Sequence, residues 1–353
     1  MTEAVSALLA PLSTAFAGAV GLRGWLYDRA WLPIHRLPVP VISVGNLSVG
    51  GTGKSPMVAM VARTLAAGGA SPAIVSRGHG GTHRAGARVV SSGDGARAQA
   101  LEVGDEPVML AGMLLGIPVI VSRRRAEGGD LAVSGFRAGC IILDDGFQHR
   151  QLARNLDLVL LDAGNPFGNG KLLPAGPLRE PPSALGRAGA IVVTRADRIG
   201  SGPRQALEAR IREHAPSVPI FHARTRALGL LDIRSRAMAP VETLRGMKVV
   251  CFAGIARPEA FFQDVESAGA RVTAKLAFPD HHRFTSSDAK AIAAGASSSG
   301  ADWLLTTEKD AARLAGPAGA DALDGLGSLW ALRVATEVDE RESFEALLRG
   351  VLA

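Results

Sequence analysis

One segment constrains the fold of this 353-residue chain more than any other: a glycine-rich run between an apolar strand and a helix. It reads VGNLSVGGTGKS over residues 44–55. Glycines let backbone N–H groups point inward around phosphate oxygens, and the N-terminus of the following helix adds its positive end. In such a loop Lys54 reaches the β- and γ-phosphates and the Ser55 hydroxyl binds Mg²⁺. The strict pattern has glycine where this chain has Ser48, so the match fails at one position.

The predicted phosphate loop indicates which residues hold the nucleotide. We expect these to be Gly50, Gly51, Thr52, Gly53, Lys54 and Ser55. The alternative is a glycine-rich turn with a chance lysine. Strand, loop and helix nevertheless follow one another in the required order, which favours nucleotide binding.

A pair of aspartates follows a second apolar strand, in the run CIILDDGFQH over residues 140–149. In phosphate-loop enzymes an aspartate at this place holds Mg²⁺, directly or through water. Adjacent carboxylates at the carboxyl end of a strand lie in the ligand crevice of an open α/β sheet, and their repulsion favours a bound cation. We therefore predict a metal site of Ser55, Asp144 and Asp145, the alternative being a strand end with a helix-capping aspartate.

Apolar β-branched strands alternate with helical segments along the chain, which predicts an α/β fold with a parallel sheet of the phosphate-loop NTPase type. At about 150 residues per domain, the length predicts about two domains. The alternation restarts after about residue 240, and 224–246 is the best candidate for a linker. We expect a phosphate-loop kinase domain over residues 1–235 and a smaller α/β domain over residues 236–353.

Composition excludes several classes and leaves others open. Hydrophobic residues make up 47% and charged residues 20% of the chain, so collagen, coiled-coil and disordered chains are excluded. The net charge of +6 suits a membrane surface, a phosphorylated substrate or nucleic acid without choosing among them. Cys140 and Cys251 are far apart in apolar runs, which predicts buried free thiols rather than a disulfide scaffold.

The N-terminal residues 4–22 carry no charge. The length of this stretch is close to that of a spanning helix. Proline and several glycine, serine and alanine residues make this a poor membrane span, and no basic residue precedes it as in a signal peptide. An interfacial helix fits better, with aromatic and basic side chains at the level of the lipid headgroups. Those side chains are Arg23, Trp25, Tyr27, Arg29 and Trp31. An ordinary helix packed on the domain is the alternative.

The class of phosphate-loop protein is less constrained by local motifs. The run TRAD at residues 194–197 faintly resembles the guanine-reading element of GTPases, although arginine replaces the usual lysine. A kinase needs a base near the acceptor hydroxyl and positive groups around the transferred phosphoryl. Asp105 is a candidate base, or equally a helix N-cap, and a second polar cluster occurs at 279–282 (PDHH). Arg77, Arg123 and Arg124 follow short strands, and each is alternatively a solvated surface residue.

Taken together, these segments resemble the tetraacyldisaccharide 4′-kinase family, the lipid A kinases of Gram-negative bacteria. The similarity runs in family order from about residue 20 to 335. The matching runs are SVGNLSVGGTGKSP at 43–56, SRG at 76–78, GDEP at 104–107, LDDGFQH at 143–149, LPAGPLREP at 173–181, FPDH at 278–281 and TEKD at 307–310. One departure is His79, where the family usually has tyrosine.

The resemblance implies ATP- and Mg²⁺-dependent transfer of the γ-phosphoryl group to the 4′-hydroxyl of a tetraacylated glucosamine disaccharide 1-phosphate. It implies a peripheral enzyme on the cytoplasmic face of the inner membrane, with the lipid and the membrane surface as partners. The family's catalytic residues map onto Asp105 as base, His281 as its partner and Lys54 in the loop. A phosphate-loop GTPase or ATPase acting as a maturation or binding factor is the alternative.

Further expectations concern partners and substrate contacts. No patch of interleaved aromatic and basic residues points to nucleic acid, and no obligate protein partner is evident. Candidate contacts for the lipid 1-phosphate or the nucleotide are Arg77, Arg123, Arg124, His149 and Arg179. Because Lys54 and His281 are assigned to different domains, nucleotide binding should bring the domains together and exclude water.

Overall fold

The computed structural model describes residues 6, 8–315 and 326–352, in which helices and strands alternate. The strands of the first part are β1 (Val41–Asn46), β2 (Pro72–Ser76), β3 (Ala87–Ser91), β4 (Val119–Ser122), β5 (Cys140–Asp144), β6 (Leu156–Asp162), β7 (Ala190–Thr194) and β8 (Ile220–Asp232). Its helices are α1 (Ala10–Asp28), α2 (Lys54–Ala67), α3 (Ala100–Val103), α4 (Asp105–Met113), α5 (Arg125–Phe136) and α6 (Ser201–His214).

The second part repeats this alternation at smaller scale. Its strands are β9 (Met238–Ala239), β10 (Lys248–Ala253), β11 (Arg271–Ala277), β12 (Trp303–Thr307) and β13 (Leu329–Val338). Its helices are α7 (Pro258–Ser267), α8 (Ser286–Ser299), α9 (Glu308–Leu314) and α10 (Arg341–Gly350).

All these strands join one 13-stranded sheet in the order β11-β10-β12-β13-β8-β7-β6-β1-β5-β2-β4-β3, with β9 paired to β8. Strand β1 lies between β5 and β6 and runs parallel to both. Strand β8 runs parallel to β7 but antiparallel to β13. The mostly parallel α/β sheet that the sequence predicts is confirmed, and helices cover it as parallel sheets require.

The prediction of a linker over 224–246 is wrong, because β8 continues to Asp232 and β9 follows at Met238–Ala239. The charged residues Arg224 and Arg226 hid the strand, since they lie on a solvated face and pair with Glu337 of β13. The sheet is continuous across β8 and β13. The proposed boundary between residues 235 and 236 falls in the turn between β8 and β9, and the division into two domains stays a prediction.

Burial along the central strands explains why the phosphate loop has a fixed support. Every residue of β1 and of β5 is buried, as expected for strands covered on both faces. Helix α2 buries Met57, Val58 and Leu65 against this part of the sheet. Cys140 and Cys251 are buried free thiols, as the sequence predicts.

The N-terminal helix α1 lies against the body along one edge only. Ser13 Oγ donates to the carbonyl of Leu172 at 2.9 Å, and Arg150 donates to Asp28 at 2.6 Å near the other end of the helix. Residues 4, 5 and 7 of the predicted interfacial stretch lie outside the described residues. Among those that are described, no helix has the length and hydropathy needed to cross a membrane.

Candidate active site

The loop between β1 and α2 is shaped by glycines and by two hydrogen bonds to one threonine. Gly53 has a φ of +82°, the left-handed conformation that ends the loop just before the helix starts at Lys54. Asn46 Nδ2 donates to Thr52 Oγ1 at 2.9 Å, and Thr194 Oγ1 donates to the Thr52 carbonyl at 3.1 Å. The end of β1 and the end of β7 therefore hold the loop from both sides.

Lys54 leaves the loop toward the aspartates that follow β5. Its Nζ lies 3.6 Å from Asp145 Oδ1, and Arg179 Nη1 donates to Asp145 Oδ2 at 2.7 Å. Burial alone would raise the pKa of Asp145, but the charges of Lys54 and Arg179 outweigh it and hold that pKa below its usual range. The structure thus brings together three of the predicted residues, with Asp145 neutralised by two cations.

Asp144 differs from Asp145 in its burial and in its hydrogen-bond partners. It pairs in register with Val44 of β1, directly before the loop, and is 1% exposed. Its Oδ2 accepts a hydrogen bond from Ser76 Oγ at 2.9 Å, whereas its buried Oδ1 has no hydrogen-bond partner among the described residues. Burial, together with the charges of Glu106 and Asp145, raises its pKa. A buried carboxylate oxygen without a donor suits a cation.

These observations fit a magnesium ion shared with a nucleotide. Mg²⁺ is commonly held by one or two carboxylates together with substrate phosphates rather than by a cage of protein ligands. Within the described ranges, no three His, Cys, Asp or Glu side chains are grouped to hold a metal by themselves. The Ser55 hydroxyl at the start of α2 and the unpaired oxygen of Asp144 are the protein groups that would hold the ion.

The predicted catalytic pair comes together although 176 residues separate its members. Asp105 is the first residue of α4, and its Oδ2 lies 3.1 Å from His281 Nδ1. His281 follows β11, in the smaller part of the chain, and has a φ of +59°. Its backbone N–H donates to Asp280 Oδ1 at 2.9 Å and to the Gly254 carbonyl at 3.2 Å, and these bonds fix the turn that presents the ring.

Three cationic or donor groups surround the Asp105 carboxylate. Arg313 Nε donates to its Oδ2 at 2.8 Å, and Lys309 Nζ lies 3.9 Å from the same oxygen. Burial alone would raise the pKa of Asp105, but the hydrogen bond from His281 and the charges of Lys309 and Arg313 hold that pKa well below its usual range. Asp105 is therefore ionised at neutral pH.

A cavity of about 270 Å³ opens beside this pair. Its lining combines the polar residues Asp105 and His281 with the apolar residues Leu101 and Phe284. His79, the position at which the family resemblance departs, also lines it, and its ring centroid is 5.7 Å from that of His281. The cavity can take an acceptor with both polar and apolar parts.

The turn after β10 lies close both to the phosphate loop and to His281, whose backbone N–H donates to the Gly254 carbonyl. A methyl group placed on Gly51 would lie 3.8 Å from Ala256 Cβ, in the turn after β10 that also contains Gly254. Glu106, next to Asp105, acts on the pKa of Asp144. Asp144, the phosphate loop and Asp105 thus lie near one another, with residues of both parts of the chain around them.

The residues predicted as basic contacts for the lipid phosphate or the nucleotide lie in different surroundings. Arg179 is in the site, bound to Asp145. Burial and the charges of nearby arginines, among them Arg77, lower the pKa of His149 to about 4, so His149 is neutral at pH 7. Arg123 and Arg124 are exposed at the start of α5, and Arg124 pairs with Glu127 at 3.1 Å.

Two residues of the site were missed by the motif analysis. Lys309 and Arg313 are on α9, more than 200 residues after the aspartate they contact. Lys309 is within the run TEKD at 307–310, but nothing in its spacing points to Asp105. The contact follows from the packing of α9 on α4, which one sequence does not reveal.

A phosphate loop after β1 and aspartates after the neighbouring strand β5 define a phosphate-loop nucleotide-binding fold. Asp105 and His281, the residues predicted to act as base and partner in a kinase, lie together beside a cavity. The sequence matches the family described as tetraacyldisaccharide-1-P 4′-kinase over residues 5–353, and the chain belongs to this family.

Relatives and a solved structure agree with this membership. The tetraacyldisaccharide 4′-kinase of Anaeromyxobacter dehalogenans strain 2CP-C is 50% identical over 308 residues, covering 86% of this chain and 81% of the relative. That of strain 2CP-1 is 47% identical over 348 residues, covering 98% and 90%. A crystal structure of LpxK from Aquifex aeolicus in complex with ATP has a TM-score of 0.77 at 30% identity, covering 99% of this chain and 100% of the other. Family membership decides against the GTPase alternative.

Proposed function

We propose that this chain transfers the γ-phosphoryl group of ATP to the 4′-hydroxyl of a tetraacylated glucosamine disaccharide 1-phosphate, with Asp105 accepting the hydroxyl proton. The observation that carries this proposal is the hydrogen bond between Asp105 and His281 at the wall of a cavity. The mixed polar and apolar lining of the cavity suits a sugar that carries acyl chains.

Phosphoryl transfer depends mainly on positioning and on charge stabilisation. Lys54 and the loop amides would bind the β- and γ-phosphates. Mg²⁺ held by Ser55 and Asp144 would neutralise charge on the transferred group. Asp145, bound to Lys54 and Arg179, would keep both cations oriented toward the phosphates.

A weakly basic carboxylate is adequate for the acceptor. The transition state of phosphoryl transfer is loose in most analyses, so the attacking oxygen has little bond to phosphorus when its proton begins to leave. Asp105 would take that proton late, and His281 would hold the carboxylate in line with the acceptor. Closure of the smaller part of the chain over the loop would exclude water that otherwise hydrolyses ATP.

Turnover of two variants tests the assignment of the catalytic pair. Asp105→Ala and His281→Ala should each lose at least about 100-fold in kcat, the lower end of what a positioned base contributes. Asp94→Ala removes an exposed aspartate that pairs with Arg97 and should keep the wild-type rate. Near-wild-type kcat in both site variants would remove Asp105 and His281 from the mechanism.

Nucleotide use separates a lipid kinase from a nucleotide-hydrolysing factor. The wild-type protein should hydrolyse ATP slowly alone and should consume it in proportion to added acylated disaccharide. Preference for GTP, or fast hydrolysis without lipid, would contradict the proposal.

We further propose that α1 and the segment after it contact the cytoplasmic face of the inner membrane. Leu8, Leu12, Leu22 and Trp31 are each at least 59% exposed, which places apolar side chains on the outside of this segment. Arg29 lies over the Trp25 ring, 5.3 Å from its centroid, as expected for an aromatic and basic belt at headgroup level. The net charge of +6 favours anionic lipid.

Sedimentation with anionic vesicles tests this contact. Deletion of residues 1–22 and the double variant Leu12→Gln with Leu22→Gln should both reduce the bound fraction. The double variant keeps the Ser13 bond to Leu172, so it separates loss of the apolar surface from loss of the helix. Unchanged sedimentation of both proteins would refute the contact.

A further inference from the structure

All three nitrogens of the Arg313 guanidinium group donate hydrogen bonds beside the cavity that Asp105 lines. Arg313 is on α9, and its side chain is 9% exposed. Its Nε and Nη2 both donate to Asp105 Oδ2, while Nη1 donates to the Gly254 carbonyl and to Asp310 Oδ1, each at 2.6 Å. Such a fork fixes direction as well as charge, because the guanidinium is planar and its donors cannot turn independently.

Asp310 anchors the other side of this arginine. It is fully buried, and its Oδ2 accepts from Gly254 N at 3.1 Å and from Thr307 Oγ1 at 2.8 Å. Thr307 in turn accepts from the Asp310 backbone N–H at 3.1 Å and so caps α9. The run TEKD at 307–310 therefore ties the first turn of α9 to the end of β10.

Asp105 is held from the opposite part of the sheet by this arrangement. The groups that face its carboxylate are His281, Lys309 and Arg313, and the Lys309 charge is shared with Glu106 at 3.3 Å and Asp280 at 3.6 Å. Its Oδ1 accepts from the Glu106 backbone N–H at 3.0 Å. His281 and Arg313 meet on Oδ2 and the Glu106 N–H holds Oδ1, so donors on both oxygens together set the plane of the carboxylate.

We propose that Arg313 is a positioning residue that orients Asp105 for phosphoryl transfer, and that buried Asp310 fixes Arg313 in turn. This inference rests on the proposed role of Asp105. The run TEKD then has a function in the reaction, because the Asp310 carboxylate holds the Arg313 guanidinium and Arg313 in turn holds Asp105.

Two substitutions of Arg313 separate the effect of its hydrogen-bond geometry on Asp105 from the effect of its positive charge. Arg313→Met removes both, so kcat should fall about 100-fold, the cost of misplacing a reacting group by about 1 Å. Burial raises the pKa of Asp105 and the Arg313 charge lowers it, so the pKa should rise when the guanidinium is removed. The acid limb of kcat/KM should therefore move to higher pH. Arg313→Lys keeps the charge without the fork, so kcat should fall while the acid limb stays near that of wild type. KM for ATP should not change in either variant.

Arg333→Met provides the matched control. Arg333 is also partly buried in the smaller part of the chain, but its Nε pairs with Glu308 at 2.9 Å and not with Asp105. It should lose thermal stability and keep the wild-type kcat and pH profile. If Arg313→Met loses stability to the same degree and keeps kcat and the acid limb, Arg313 is only structural and the inference fails. Wild-type kcat in Arg313→Lys would equally overturn it.

Failure of this inference is distinguishable from failure of the proposed function. If the wild-type protein phosphorylates the lipid and Asp105→Ala does not, the proposed function stands whatever the Arg313 variants show. Asp310→Asn completes the test, because it weakens the hold on Arg313 without touching Asp105. Its kcat should lie between those of wild type and Arg313→Met, and a wild-type kcat would remove Asp310 from the arrangement.

Discussion

Replacing Gly104 with alanine should disable catalysis by moving the residue that follows it. Gly104 has φ +91° and ψ 155° and connects α3 to α4, which begins at Asp105. A Cβ at this position would lie 2.5 Å from the His79 carbonyl oxygen and 3.1 Å from the Gly78 carbonyl carbon. Both are backbone atoms, so the turn or the start of α4 must shift.

Two costs follow from this geometry. A residue other than glycine in so unfavourable a conformation costs about 1–3 kcal/mol of stability. A displacement of Asp105 by about 1 Å costs about 100-fold in rate, which is about 2.7 kcal/mol in activation free energy. The loss of rate arises from the contact of the new Cβ with the turn at His79. The loss of stability arises from the positive φ and does not need that contact.

Gly95→Ala isolates the conformational cost. Gly95 has a φ of +94°, close to that of Gly104, and nothing lies within 4 Å of a Cβ built on it. Thermal unfolding and kcat for lipid phosphorylation should be measured for both variants. We expect both to lose stability and only Gly104→Ala to lose kcat. A wild-type kcat in Gly104→Ala, or an equal loss in Gly95→Ala, would refute the reasoning.

Three further predictions concern charged residues of the site. Asp105→Asn should cost about 3 kcal/mol in the free energy of unfolding at pH 7, because it removes one of the two carboxylates that pair with buried Arg313. Since the pKa of Asp105 is lowered by folding, its stabilisation is present above the unfolded pKa of about 3.9 and is lost as pH falls below it. Denaturant titrations at pH 7 and pH 3.5 should therefore show a smaller difference at pH 3.5, and an equal difference would contradict the ionised state. Lys54→Met should lower kcat at least about 100-fold, measured at saturating ATP, and an unchanged kcat would exclude it from charge stabilisation. Asp144→Asn should raise the Mg²⁺ concentration needed for half-maximal rate in a magnesium titration, whereas an unchanged midpoint would place the ion elsewhere.

Much of the fold was predictable because its signals are local. The phosphate loop, the apolar strand β1 and the aspartates after β5 are each complete within about a dozen residues, and parallel pairing brings them to one edge. The boundaries of β7 and the start of α7 follow from β-branched runs and from Pro258 at the first helical position. These features depend on backbone chemistry that a single sequence carries.

Other features depend on tertiary contacts and were not predictable from one sequence. Strand β8 is half exposed and carries arginines, so its pattern resembles a polar connection. The difference between Asp144 and Asp145 arises from Ser76 on one side and from Lys54 and Arg179 on the other. Arg313 reaches Asp105 only when α9 packs against α4.

Transfer of labelled phosphate tests the central claim most directly. The wild-type protein is incubated with ATP labelled at the γ-phosphate, Mg²⁺ and tetraacylated disaccharide 1-phosphate, and the lipid product is analysed for the position of the label. The account predicts a new phosphomonoester on the 4′-hydroxyl in the wild type and none with Asp105→Ala. Label recovered only as inorganic phosphate, or on another hydroxyl, would contradict it.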